Sequence, residues 1–357
     1  MSWEIKLAQP ALGGIAATES FVIFGSRSLD DRKDLFQCYD TLAGLKLWEL
    51  EYAAEGELDY GISPRTTPLI YGDLVFLFGA LGDLHCVDLL SGEVQWKTNV
   101  RKAFVATAEM PWGYCGSPLL VDGKLIINPG AANASLVALN PKTGQVLWKS
   151  PGKASGYGSL IAGRFGGKLQ IVGHDADSLG GWDPNTGKRL WTLKPPQEND
   201  FNVPTPINVD GQLLVSTENN GTRLYRFKDN GEIDPKPVAE NAQLNPDTSS
   251  PVVVGDRLFC VHYVLWCLNA NGKLERIWRL RDAALSKHGV IIASSDRLLV
   301  IGDGELLLLD PLADKPRIIS RVKIFEDKVP PYSHPALVGT KLFIRSENRL
   351  KCLDLSN

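Results

Sequence analysis

Acid–base chemistry needs groups that exchange protons near neutral pH and sit on a rigid frame, and this 357-residue chain has only five histidines to offer. Two of them, His288 and His334, occupy one column of an internal repeat in consecutive units. The other units place Gly13, Thr67, Ser117, Ser159, Thr205 and Ser250 there. Imidazoles at equivalent positions of neighbouring units are expected to flank each other and to contact a ligand or transfer a proton. Glu218, in Glu218-Asn219-Asn220, and Asp175, in His174-Asp175-Ala176-Asp177, are the carboxylates that could join them. His288, His334, Glu218 and Asp175 are thus the catalytic candidates.

A second set could bind a ligand without chemistry. His174, His262, Tyr263 and Arg345 fall at or beside the ends of short apolar runs, and Trp112 lies in Met110-Pro111-Trp112-Gly113-Tyr114 beside Phe104. Binding residues favour loops carried by a rigid scaffold. A metal site would require His174 or His262 to converge with the histidine pair, and none is expected. The acidic turn at 174–177 lacks the Asx spacing of a calcium loop and reads as an ordinary turn. Gly163 to Gly167 and Gly180-Gly181 read as hairpin turns rather than phosphate loops. No Gly-x-Ser-x-Gly, His-Glu-x-x-His or Cys-x-x-Cys pattern is present.

What positions these residues is a repeat that occurs eight times. Each unit carries a short apolar run with a polar lead-in, such as Asp73-Leu74-Val75-Phe76-Leu77 or Lys341-Leu342-Phe343-Ile344-Arg345. That suits a strand buried on both faces. The histidine column lies just upstream, and Pro68, Pro118, Pro206, Pro251 or Pro335 follows it in five units. Proline is tolerated where a strand begins, because no ladder donor is needed there. Downstream, a turn opened by Asp or Asn and closed by Gly leads to Trp, as in Asn140-Pro141-Lys142-Thr143-Gly144 before Trp148 and Asp183-Pro184-Asn185-Thr186-Gly187 before Trp191. Units five and seven lack the Trp, so their junctions should pack differently. Four antiparallel strands per unit predict an all-β, eight-bladed β-propeller in one domain over 1–357. The array breaks mid-unit at Lys351-Cys352-Leu353-Asp354, and Trp3-Glu4-Ile5-Lys6 supplies the missing strand. Residues 2–7 should therefore complete the last blade with 334–357.

These Asp/Asn-Pro-x-Thr-Gly-x-x-x-Trp turns resemble the tryptophan-docking repeats of pyrroloquinoline-quinone-type propellers, over essentially the whole chain. The unadorned ring also resembles the propeller lipoprotein of the outer-membrane β-barrel assembly machinery, a non-enzymatic scaffold. The quinoprotein branch would imply a dehydrogenase with bound quinone and calcium, but it joins adjacent cysteines over the cofactor. No two cysteines are adjacent here, so neither pyrroloquinoline quinone nor calcium is expected.

The scaffold resemblance and the missing catalytic motifs make a non-enzymatic ligand- or protein-binding propeller the first expectation. An enzyme using histidines at the channel mouth is the alternative. The occupant, a protein or a small molecule, is expected on the face shared by the loops leading into the blades (49–66, 97–116, 232–249) and those between second and third strands. Thirty-eight Lys plus Arg against 41 Asp plus Glu leave a net charge of −3 and no footprint for nucleic acid. No apolar run reaches membrane-spanning length. Cys38, Cys86, Cys267 and Cys352 share one repeat column, too far apart to pair, and read as free thiols. Reduced cysteines and a start without a leader's pattern point to the cytoplasm, or to the periplasm had a leader been removed.

Overall fold

A computed structural model describes residues 2–61, 64–200, 202–286, 288–326 and 333–356. Every sheet in it has four strands, and there are eight such sheets. The chain is therefore an all-β protein of eight antiparallel blades in a β-propeller arrangement. In the first blade the strands run Ala16–Ala17, Phe21–Arg27, Lys33–Asp40 and Lys46–Ala53, each pairing with the next. The last blade uses Ala336–Val338, Lys341–Arg345 and Arg349–Asp354, and Trp3–Lys6 pairs with its third strand as Trp3↔Cys352 and Lys6↔Arg349. The chain divides into two compact units, residues 1–155 with 332–357 and residues 156–331, and each holds four blades.

The register explains the cysteine column. Cys38, Cys86, Cys267 and Cys352 stand directly opposite Trp48, Trp96, Trp278 and Trp3 on the outer strand, while Ala138 and Gly181 face Trp148 and Trp191. Only a small side chain fits beneath the indole. At Gly181 a Cβ would lie 2.2 Å from Trp191 Nε1. A bulge follows the column in blades one to four and six, between Cys38 and Tyr39 in the first, and lets the strand end in its turn. All six cysteines are free thiols, and burial pushes Cys38, Cys86 and Cys267 up to about 12.

Four of the docking Trp residues reach the turn of the neighbouring blade. Trp3 Nε1 donates to Thr41 O at 3.1 Å, Trp48 to Leu89 O at 2.8 Å, Trp96 to Pro141 O at 2.9 Å and Trp278 to Ala313 O at 3.1 Å. The turn glycines Gly44, Gly92 and Gly144 have φ near +70°, and a Cβ on any of them would meet the indole of Trp3, Trp48 or Trp96 at 2.7–2.8 Å. Glycine thus serves turn shape and indole stacking together.

The expected irregularity of blade five is present. Its turn, at Asp229-Asn230-Gly231, offers no matching carbonyl to Trp191. The indole donates instead to Gln170 Oε1 at 2.7 Å, and Gln170 Nε2 passes the contact on to Gly231 O at 2.7 Å. With no Trp of its own, blade five reaches the sixth through Asn241 Nδ2, which donates to Leu274 O at 2.9 Å. Residues 232–249 are not simply a loop leading into the next blade. They contain the outer strand of blade five, Ala239–Asn241, which carries no apolar alternation or Trp to reveal it.

Candidate functional site

The second unit contains a pocket of about 30 Å³ between blades four and five. It is built where the loop after the strand Lys168–His174 meets the segment leading into blade five, on the face expected from the sequence. The space suffices for about two waters or a small polar group. Asp177 and Lys194 line it, together with three side chains that are largely buried. His174 closes one wall, Asp200 another, and Arg223 projects from the strand Gly221–Tyr225. Leu179, Val215 and Tyr225 supply apolar surface and belong equally to the core between the two blades.

Arg223 is only 3% exposed. Its Nη2 donates to Thr217 Oγ1 at 2.8 Å, its Nη1 reaches Tyr225 Oη at a long 3.4 Å, and its Nε has no hydrogen-bond partner. Asp200 Oδ2 stands 3.6 Å from Nη2, beyond hydrogen-bond length, and is likewise unpartnered. The Asp200 carboxylate is held from the other side, by Asn219 N on Oδ1 at 3.1 Å. His174 Nε2 is buried without a partner. Burial first, and the Arg223 charge second, lower its pKa to about 4, so the ring is neutral at pH 7.

Asp175 stands beside this pocket but is committed elsewhere. Oδ1 accepts from Asp177 N, Ser178 N and Ser178 Oγ at 3.0, 2.7 and 2.9 Å, and Oδ2 pairs with Arg189 at 2.6 Å. It is the anchor of its turn. Glu218 is exposed, and its carbonyl accepts from Asn245 Nδ2 at 3.1 Å. His288 Nδ1 bonds Thr248 Oγ1 at 3.0 Å and lies 3.9 Å from Asp247. The same neighbourhood includes His262, whose pKa is lowered by burial, raised by Asp247 and lowered by His288. The His262 ring stands edge-on to Tyr263 at 4.7 Å. His288 and His262 are therefore brought together in the second unit.

His334 belongs to the first unit, with its carbonyl accepting from Ile15 N at 2.9 Å and its pKa lowered by burial. Arg345, also in that unit, is fully buried, donates to Gly25 O at 2.7 Å and lies over the Phe24 ring at 5.5 Å. Burial lowers its pKa to about 10. Trp112 is half-buried, and its carbonyl accepts from Arg65 Nη1 at 2.6 Å. That arginine also donates to Asp59 O and Gly61 O, tying both to Trp112.

Sequence reasoning missed two groups. One is Arg223 with Asp200; its only signal was an arginine inside a short run that had to be a buried strand. The other is a buried network in the first unit. Arg27 pairs with Asp34 at 2.9 Å, Tyr52 donates to Asp34 at 3.0 Å, and the His85 ring stacks 4.4 Å from Tyr52. Burial raises Asp34 to about 6 against the pull of Arg27, and burial lowers His85 to about 4. Among the described residues, no group of three or more His, Cys, Asp or Glu is placed to hold a metal ion. No helix among them is long and apolar enough to cross a membrane.

The chain is 24% identical over 255 residues to outer membrane protein assembly factor BamB of Burkholderia pseudomallei, covering 66% of this chain and 60% of that protein. It is 28% identical over 216 residues to the quinoprotein alcohol dehydrogenase PedH of Pseudomonas putida, covering 53% and 35% respectively. The matches thus span less than two thirds of either relative's own length. Among solved structures, BamB from Moraxella catarrhalis superposes with a TM-score of 0.68 at 17% identity, over 99% of this chain and 98% of that one. Quinohemoprotein alcohol dehydrogenase from Comamonas testosteroni superposes with a TM-score of 0.63 at 12% identity, over all of this chain and 76% of that one. Residues 1–128 and 132–313 match the profile of the family described as outer membrane protein assembly factor BamB, and the chain belongs to that family.

Proposed function

We propose that this protein is a non-enzymatic scaffold that docks a protein partner on its loop face. The observation that carries this reading is a set of exposed residues held there in strained backbone. Tyr60 (83% exposed) and Val105 (74%) adopt φ of +65° and +57°. For a β-branched residue such as Val105 that region is a genuine outlier. Strain and exposed apolar surface both cost stability, and at Tyr60 and Val105 the two coincide on the loops leading into blades two and three. Tyr60 and Val105 sit on a stiff base, because Asp59 N donates to Pro111 O and Tyr114 N to Ala80 O.

The acid–base candidates support the same reading, since Asp175 is committed to a turn and an ion pair and Glu218 faces solvent. The relatives named for outer-membrane assembly make a protein the expected occupant of such a face. The test places a photo-crosslinking amino acid at Tyr60, at Val105, or at Leu147 on an outer strand, in cells of the source organism. Cross-links from positions 60 and 105 to one protein, absent from 147, are expected. Equal labelling from all three positions, or none from 60 and 105, would overturn the reading.

A further inference from the structure

The pocket between blades four and five holds a cation whose donors are not used. A guanidinium carries five N–H groups in a planar fork, and its charge-assisted bonds run about 2.7–2.9 Å. Arg223 makes one such bond, to a neutral hydroxyl at 2.8 Å, with the long contact to Tyr225 and an idle Nε. Burying a cation with so little compensation is costly unless something else completes its shell. Asp200 is the obvious partner, yet it stands off at 3.6 Å because Asn219 and its own loop hold it there. His174, which also lines the pocket, has its Nε2 buried and unpartnered. The space lies among these groups and is closed by apolar surface from Leu179 and Val215.

We propose that this pocket binds a carboxylate, anchored by the Arg223 guanidinium, with Asp200 as the internal carboxylate that competes for the same cation. The fork of Arg223 matches two carboxylate oxygens, and the neutral His174 ring can donate to one of them without adding charge. The apolar wall accepts the carbon that bears the group. A phosphate suits the site less well: it has more oxygens to satisfy, a larger volume, and more negative charge for Asp200 to repel. The carboxylate can belong to a small free acid or to an Asp or Glu side chain of a docked protein. The inference is independent of the docking reading, since it concerns the second unit's own residues.

The test is saturation-transfer NMR on the full chain, with acetate as the free probe and N-acetyl-aspartate N-methylamide as the protein-like one. Saturable binding of acetate in the millimolar range is expected, as suits so small a ligand. Asp200→Asn removes the competitor, and if that carboxylate claims about nine tenths of the population, apparent affinity rises about tenfold. Arg223→Gln abolishes binding; because it also empties a buried ion pair, circular dichroism must show that the variant is folded. The deciding variant is therefore the near-isosteric Asp200→Asn. Binding of acetate alone identifies a free acid as the natural ligand, and binding of both probes a protein-borne side chain. No transfer in wild type or Asp200→Asn up to about 100 mM, well above the millimolar range, overturns the proposal. So does equal affinity in the two proteins, or equal competition by chloride.

Discussion

Gln170 replaces a backbone turn with a side chain, and its removal should cost far more than the loss of an ordinary docking contact. It is completely buried and makes three bonds: from Trp191 Nε1 at 2.7 Å, to Gly231 O at 2.7 Å and to Phe165 O at 3.1 Å. Gln170→Leu keeps the volume and removes all three partners at once. Each buried polar group left unmade costs about 1–3 kcal/mol. The three are coupled through one side chain, so the sum is not additive and about 3–5 kcal/mol is expected. Trp278→Phe, at a regular junction, loses one bond to Ala313 O and part of a ring, about 1–2 kcal/mol. Gln170→Glu separates the two ends of the relay. It keeps an acceptor for Trp191 but turns an oxygen toward the Gly231 and Phe165 carbonyls. Burial and those dipoles raise the folded pKa of the new acid above its unfolded value. The variant is then most stable below about pH 4, the unfolded value, and loses stability as pH rises through the folded one. Urea denaturation followed by tryptophan fluorescence, at pH 5 and pH 8, reads both effects. A cost for Gln170→Leu no greater than that of Trp278→Phe, or a Gln170→Glu deficit that shrinks with rising pH, would refute the relay.

The other expectations can be checked with the same assay. Val105→Gly should stabilise the chain by about 0.5–1 kcal/mol, since relief of a left-handed conformation worth about 1–2 kcal/mol outweighs the added chain entropy; a loss of stability would contradict the strain. Asp34 has a folded pKa raised to about 6, so its contribution is full below the unfolded value of about 4 and is lost as pH rises through about 6. Asp34→Asn should therefore flatten the stability profile across that window, and an unchanged slope would place the titration elsewhere. Trp3→Ala should cost about 3–5 kcal/mol, as for other buried aromatics, and deleting residues 2–7 should expose the Arg349–Asp354 strand and promote aggregation seen by light scattering.

The blade pattern was legible because its signals are local. An Asp or Asn that caps its own turn, a glycine at positive φ and a tryptophan a few residues on are written in consecutive residues, and Asp40 shows the mechanism by accepting from Leu42, Ala43 and Leu45 N. Placement of Trp3–Lys6 beside Arg349–Asp354 followed from the same arithmetic. Register was less legible. A gapless alignment of the second strands puts the residue paired with the cysteine column at the third position in Phe259 and Phe343, the fourth in Ile23 and Phe76, and the fifth in Val172. Apolar runs buried on both faces carry no alternation that could fix the offset. The candidate site was half legible: His174 was found, but Asp200 and Arg223 meet it through tertiary contacts with no fixed spacing.

The seam between blades four and five departs from the repeat at both ends, and one physical cause links them. A regular junction is sealed by an indole whose single donor finds a turn carbonyl, so no polar side chain need enter the seam. Once the turn of blade five lost that carbonyl, Trp191 required a polar mediator, and Gln170 brought a buried amide into an otherwise apolar strand. Blade five also lacks an indole to seal its outer strand, and its third strand carries Thr222 and Arg223 in buried positions. Thr222 is fully satisfied, with Ser216 Oγ at 2.8 Å and Leu244 O at 2.7 Å. Arg223 is not, although its own hairpin offers it hydroxyls and the segment leading into blade five brings the Asp200 carboxylate near. Buried polar networks are stable when every member is paired and costly when one is left over. The unmet donors at Arg223 are thus concentrated at the loop end of the seam, beside the pocket, while the turn end is closed. A structural substitute for a lost tryptophan would balance its bonds at both ends; a seam that leaves a cation unfinished beside a cavity is arranged for an occupant.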